Sequence, residues 1–451
     1  MRNIGEYKYL KFTELFKTGF WDYYTLSNFN KVSSNYDLVN LKEVLNHRKE
    51  FINISDKIDY KRCRVQINGK GVVLRDEIYG KDIKTKKQQL CKADDFLVAE
   101  IDAKVGGYGI VPKELEGAIV SGHYFLFEIN KSKLLPQFLG ILVKHEQFFK
   151  QVKATGSTNY AAIRPYHVLD YVIPLPPLPE QEAIVANYYS KIREAEELER
   201  QAEDLEDEIE RYLFKELDLD DIKEKIYSNK LKIINSSEIT RWGVDYISGI
   251  NSAQFLKSKK FKNEILKNIV QINPSTTLPK QVLPISFVPM ECISDEYGEV
   301  IELREKQTNE AKGYTKFIEG DLLWARITPC MQNGKSAIVK NLKNNFGCGS
   351  TEFHVIRNTS SEIELEYIYQ ILRLKTVLSH ARSHFTGSAG QQRVPKSFLE
   401  ELMIPIPPYS IQKAISEEIN KMKALKKQNR LKAALLKEEA QQEFENAIFE
   451  H

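Results

Sequence analysis

Two stretches of this chain carry apolar residues at alternating three- and four-residue intervals. The first places Ile184, Tyr188, Ile192, Ala195, Leu198, Ala202, Leu205, Ile209 and Tyr212 on one stripe. That is the heptad-like seam of a long helix built to pair with another. The second sets Met422, Leu425, Asn429, Ala433, Leu436, Ala440, Phe444 and Ala447 at similar intervals, and its polar Asn429 can fix register. Prolines stand before both stretches, where a first helical turn tolerates the missing N–H. If Phe449 corresponds to Phe214, the second helix is one turn longer than the first. Elsewhere the pattern shortens to strand-like runs at Phe96–Ala99, Tyr124–Phe127 and Ser336–Val339, bounded by turn residues. Helical patterns follow at about 134–154 and 361–383. The reading is an α/β protein: two α/β globules with substantial strand content, and two long helices.

The pattern is duplicated. Residues 155–181 read TGSTNYAAIRPYHVLDYVIPLPPLPEQ and residues 386–412 read TGSAGQQRVPKSFLEELMIPIPPYSIQ. Gly156 pairs with Gly387, 231 positions on, as Pro174 does with Pro405, Pro177 with Pro408 and Gln181 with Gln412. Fainter parallels lie upstream: Asp95-Phe96-Leu97 with Asp321-Leu322-Leu323, Gly122 to Ile129 with Gly349 to Ile356, and Trp21 with Trp242. A duplicated chain has two equivalent surfaces, suited to a target that also comes in two parts.

Charge sharpens the picture of the helices. Residues 180–216 hold 13 acidic and 5 basic residues, whereas 412–448 hold 6 and 8. The two helices therefore pair better with each other than either does with its own copy, and we expect an antiparallel pair. Residues 1–179 carry a net +7, so positive charge collects outside the acidic helix. Near the N-terminus, Tyr9 to Leu15 resembles Tyr212 to Leu217, as if the leading segment were the displaced tail of the second helix.

The length of 451 residues is too great for one core and suits two domains with connectors. A hydrophobic fraction of 42% with 10% aromatics describes ordered protein. No apolar run approaches the roughly eighteen residues that span a bilayer, and the N-terminus lacks a signal-peptide stretch. Five scattered cysteines without a CxxC pair argue for reduced thiols in the cytosol.

A globule ending in TGS, then an apolar segment, then I-P-L-P-P-x-x-x-Q opening a long helix, all duplicated, resembles the specificity subunit of type I restriction–modification systems. Residues 320–339 (GDLLWARITPCMQNGKSAIV) and 94–112 (DDFLVAEIDAKVGGYGIVP) resemble that family's target recognition domains. The resemblance implies two α/β target recognition domains in a pseudo-two-fold repeat, separated by two long antiparallel coiled-coil helices. Its boundaries would be an N-terminal segment at 1–20 packing near the C-terminal helix, recognition domains at 21–179 and 236–409, a central helix and linker at 180–235, and a distal helix at 410–451. It further implies a cytoplasmic, DNA-binding protein without a cofactor. Each globule would read one half of a bipartite double-stranded DNA site. The helices would set the spacing and dock two methyltransferase subunits, with restriction/translocase subunits joining. One departure is visible: Asn159-Tyr160 stands where the second copy has Gly390-Gln391.

DNA recognition needs cations for phosphates and planar donors for base edges. In the first globule the candidates are Lys61, Arg62, Arg64, Lys84, Lys86, Lys87 and the aromatic Tyr108. Gln88 and Gln89 stand beside them. In the second they are Arg326, Gln332, Asn333 and Lys335, then Gln391, Gln392 and Arg393. Arginine suits guanine, and Gln or Asn suits adenine.

Catalytic motifs fail on inspection. Asn273-Pro274 continues Ser275-Thr276 instead of the Pro-aromatic of an adenine methyltransferase. Asn333-Gly334-Lys335-Ser336 has Pro329 where a phosphate loop requires glycine. Gly106-Gly107-Tyr108-Gly109 lacks dinucleotide spacing and reads as a turn. His380 and His384 lack the glutamate of a zinc helix and read as surface residues. No metal site is expected, and the chain is read as non-catalytic. The rival reading is a coiled-coil assembly scaffold without sequence-specific DNA recognition.

Overall fold

Phe96-Leu97-Val98-Ala99 and Leu322-Leu323-Trp324-Ala325 are buried at all four positions. A strand with no exposed face must be covered on both sides, and the topology shows by what. The computed structural model describes residues 34–152, 162–219, 256–387 and 391–449. The described residues form two compact units. One runs up to Ala195 and resumes at Ala434, and the other runs from Glu196 to Ala433.

In the first unit the strands are β1 (Leu38–Asn40), β2 (Leu45–Arg48), β3 (Phe51–Asn53), β4 (Asp59–Gln66), β5 (Gly71–Tyr79), β6 (Lys87–Leu90), β7 (Phe96–Ala99), β8 (Tyr108–Ile110), β9 (Ile119–Val120), β10 (Tyr124–Ile129) and β11 (Val172–Pro174). Helices α1 (Pro136–Leu142), α2 (Glu146–Phe149) and α3 (Pro165–Leu169) precede the long α4 (Leu178–Glu216). Strands β2-β10-β7-β8 form one sheet and β3-β6-β9-β4-β5 another. Phe96 and Val98 face the helices, while Leu97 and Ala99 face the five-stranded sheet. The glycine run at 106–109 is a close approach as well as a turn. A Cβ on Gly106 would lie 2.7 Å from the Gly69 nitrogen, and one on Gly109 2.8 Å from the Gly71 Cα.

The second unit repeats the plan. Its strands are β12 (Lys262–Ile265), β13 (Val270–Ile272), β14 (Pro284–Val288), β15 (Arg304–Gln307), β16 (Thr315–Ile318), β17 (Leu322–Ala325), β18 (Ser336–Ile338), β19 (Phe346–Gly349), β20 (Phe353–Asn358) and β21 (Met403–Ile406). Its helices are α5 (Leu365–Leu372), α6 (Lys375–Ser383), α7 (Lys396–Glu401) and the long α8 (Tyr409–Ile448). Sheet β13-β20-β17-β18 lies between helices and sheet β15-β14-β19-β16. The upstream repeat matches two residues away from the register expected. Tyr124 opposes Ala99 as Phe353 opposes Ala325, so Tyr124 corresponds to Phe353. A two-residue slip leaves every side chain on its original face, so apolar pattern alone cannot detect it.

Within each unit the long helices run antiparallel. In the first, Asn187 and Lys191 bond Glu443, and Tyr188 packs on Phe444. In the second, Glu206 pairs with Lys426 and Gln201 meets Asn429. Every expected seam position of α4 is buried or half-buried. On α8 one is misplaced: Leu425 is 47% exposed, and Lys426 takes its place at 3%. The Lys426 stem packs like an aliphatic side chain while its ammonium reaches the Glu206 carboxylate. The expected extra turn is also absent, since the helices have 39 and 40 residues. Phe449 corresponds to Leu219: Ser34 bridges Phe449 as Ser258 bridges Leu219. The segment at 1–20 and the linker from 220 to 235 lie outside the described residues.

Candidate nucleic-acid interface

In the second unit, backbone hydrogen bonds stitch two segments far apart in sequence. Arg326 O accepts from Val394 N at 2.8 Å, and Gln392 O from Thr328 N at 3.0 Å. Arg326 N in turn donates to Glu352 O at 2.9 Å. Arg326, Gln391, Gln392 and Arg393 thereby come to one place, as separate loops could not have been read to do.

Glu352 organises the charges there. Arg393 grips its carboxylate through Nε at 2.9 Å and a terminal nitrogen at 2.8 Å, and gives another terminal N–H to Gln391 O. This grip holds the Glu352 carboxyl below the usual carboxylate range against the opposing effect of burial. Arg326 Nε lies 3.5 Å from the same carboxylate. Among the described residues its terminal nitrogens make no hydrogen bond, so Arg393 is committed and Arg326 is available. Gln332 and Asn333 are exposed on the turn after β17, whereas Lys335 is half-buried and donates to Met290 O at 3.3 Å.

Behind this lip, His354 is fully buried. Its Nδ1 meets Asn273 Nδ2 at 3.0 Å and its Nε2 meets Val394 O at 3.0 Å. The carbonyl needs a donor and the amide nitrogen is one, so the ring is the neutral Nε2–H tautomer. Burial pushes its pKa down to about 4. Asn273 also accepts from Val355 N at 2.9 Å, so the Asn273-Pro274 pair braces a strand end. His380 and His384 pack against Phe398, not on an open surface as expected.

The first unit has the same backbone frame with opposite charge. Ile163 N donates to Glu100 O at 3.0 Å, and Glu100 N to His123 O at 2.9 Å. Glu100 therefore occupies the position of Arg326. Its carboxylate takes Arg164 on one oxygen and His123 on the other. Lys84, Lys86 and Lys87 are exposed on the loop into β6, where Lys86 pairs with Asp56 and Lys87 covers the Phe51 ring. Lys61 and Arg64 are exposed on β4, but Arg62 is held by Asp76 through two bonds of 2.7 Å.

Tyr108 must be corrected. It is 2% exposed, packed between Phe96 and Phe148 in the core, and its aromatic ring marks strand β8 filling space, not a stacking platform. Gln88 and Gln89 are buried too, Gln89 holding the Ser121 and Tyr124 carbonyls. Glu352 and Glu100 were missed because a carboxylate carries no signal for DNA until its arginine partners are known. The scattered cysteines also concealed a neighbour pair: Cys63 and Cys91 are buried with their sulfurs 3.6 Å apart.

Each unit thus stacks two sheets and feeds a long helix from a proline-rich junction. The family model described as "Type I restriction modification DNA specificity domain" matches residues 7–206 and 214–438. The chain belongs to that family. It is 44% identical over 158 residues to the type I restriction enzyme EcoEI specificity subunit of Escherichia coli, covering 35% of this chain and 27% of that protein. It is 41% identical over 151 residues to the EcoAI specificity subunit of the same organism, covering 33% and 26%. The matched part thus spans about a quarter of the length of these relatives. A solved chain from a type I R-M system superposes with a TM-score of 0.53 at 18% identity, over 92% of this chain and 98% of that one, which is a likeness of fold.

Proposed function

We propose that this chain is the non-catalytic DNA-specificity subunit of a type I restriction–modification complex, acting in the cytoplasm. Each unit reads one half of a bipartite site. The helices set the spacing and dock two methyltransferase subunits, which bring S-adenosylmethionine, while restriction/translocase subunits join the assembly. The supporting observation is the convergence of Arg326, Gln391 and Gln392 at one lip, in a chain belonging to a family of DNA specificity domains. Among the described residues, no helix is long and apolar enough to cross a membrane.

The charge inversion between Arg326 and Glu100 gives the reading a consequence. Arg326 keeps donors for DNA, whereas the Glu100 carboxylate is occupied by Arg164 and His123, so the two units contact DNA differently at this position. Mobility shifts with random-sequence duplex, with and without methyltransferase subunits, test the proposal. If six to ten phosphates are neutralised, affinity falls by about three to five orders of magnitude between 50 and 200 mM salt. Affinity that stays flat across that range would leave the assembly-scaffold reading standing instead.

A further inference from the structure

Gln332 and Asn333 lie exposed on the turn between β17 and β18, and their side-chain amides make no hydrogen bond among the described residues. The turn beneath them is tightly wound. Met331 N donates to Ile327 O at 2.9 Å, Asn333 N to Pro329 O at 3.1 Å and Lys335 N to Cys330 O at 3.0 Å. Met331 fixes the inner side of the turn in the core. Two free amides carry the donors and acceptors that match adenine edges. Such contacts select a base only when the backbone bearing them is held to within about 0.5 Å.

One residue outside the turn supplies that hold. Arg373, directly after α5, donates from Nη1 to Gly334 O at 2.5 Å and from Nη2 to Asp295 O at 2.9 Å. A single planar guanidinium thus ties the end of the turn to the loop at 294–299. These two loops belong to different sheets, one between β17 and β18 and the other between β14 and β15. The second loop is itself braced. Gly298 O accepts from the Tyr369 hydroxyl at 2.7 Å, Glu299 takes Lys427 at 2.5 Å, and Glu296 pairs with Arg430. Lys427 and Arg430 stand on α8, so contacts run without a break from that helix to the exposed amides.

We infer that Arg373 is a specificity-determining positioning residue, fixing the 329–334 turn relative to α8 so that Gln332 and Asn333 meet base edges in register. The inference rests on the DNA-binding reading and makes it more specific, because it assigns base reading in the second unit to this turn. Arg373 itself touches no base, since both terminal nitrogens are spent on carbonyls.

The test uses the full chain with methyltransferase subunits and duplex from a randomised pool, scoring base preference by selection and affinity against salt. Wild-type protein that binds no duplex, or binds without preference, defeats the DNA-specificity reading itself. Given wild-type preference, Q332A/N333A should lower it at base pairs of one half-site only. R373M should lower it at the same base pairs by about tenfold, the worth of one good base contact. The log–log salt slope should stay at the wild-type value, because no phosphate contact is lost. R373K keeps the charge, but one ammonium cannot span both carbonyls, so it should behave like R373M. G298A changes no charge, yet its Cβ would collide with the Tyr369 hydroxyl and the Arg373 guanidinium, and it should repeat the loss. On the Q332A/N333A background R373M should add nothing, since both act through one turn. Should R373M prove unstable by thermal melt, R373K and G298A carry the test. Uniform weakening with a slope lower by about one, restored by R373K, would mark a phosphate contact and overturn the inference. Unchanged preference in R373M, intact preference in Q332A/N333A, or an additive loss in the triple variant overturns it as well.

Discussion

Gln181 and Gln412, 231 positions apart, make the same three hydrogen bonds. Both are fully buried. Gln181 Oε1 accepts from Leu135 N at 2.8 Å while Nε2 donates to the Lys133 and Pro176 carbonyls. Gln412 Oε1 accepts from Glu364 N at 2.9 Å while Nε2 donates to the Glu362 and Pro407 carbonyls. Each amide pins the first turn of a long helix to the turn before a short one. The most faithful part of the repeat is therefore a structural staple.

Replacing Gln412 by alanine strands one buried N–H and two carbonyls. We expect a loss of roughly 3 kcal/mol, seen as a lower denaturation midpoint, and hydrogen exchange should speed up at the Glu364 amide and its neighbours. Gln181→Ala should do the same around Leu135. Unchanged exchange at those amides would contradict the staple.

Acid should loosen the lip through His354. Its folded pKa of about 4 lies below the ordinary 6.5. The unfolded chain therefore binds the extra proton first, and stability is lost as pH falls from 6.5 toward 4. The loss attributable to this ring approaches about 3 kcal/mol. Titrating unfolding free energy against pH for wild type and His354→Phe checks it, since the phenylalanine variant should lack this part of the slope.

Lys423 on α8 lies 4.4 Å over the Tyr369 ring, and among the described residues its ammonium has no hydrogen-bond partner. Burial pulls its pKa from 10.5 down to about 7. Between those values the unfolded chain holds the extra proton, so stability rises with pH from 7 to 10.5 and the cost is largest at 7 and below. Lys423→Met should stabilise the protein by about 1–3 kcal/mol at pH 6–7, with the gain fading toward pH 10. Equal denaturation curves at pH 6.5 would refute this.

If the helices set the half-site distance, four residues inserted after Ala195 should lengthen α4 by about 6 Å. The non-specific spacer should grow by about one or two base pairs, with both half-site sequences unchanged. Methylated-site mapping of the mutant decides it, because an active mutant with an unchanged spacer separates the helices from the ruler.

Spacing along the chain was enough for the duplication, the α/β character of the units, the two helices and nearly all of their seams. These features follow from local periodicity, since an apolar face recurs at 3.6 or 2 residues whatever it packs against. The exception shows the limit. Lys426 replaces Leu425 because Glu206 is there to receive its ammonium, and a partner 220 residues away leaves no trace in local pattern. The same reason hid the site. Arg326 and Arg393 read alike as cations, but one carboxylate from β20's leading turn commits Arg393 and leaves Arg326 available. Tyr108 read as a stacking ring until the fold enclosed it between Phe96 and Phe148. Which charges are neutralised and which rings are covered depends on long-range contacts, and those exist only once the chain has folded.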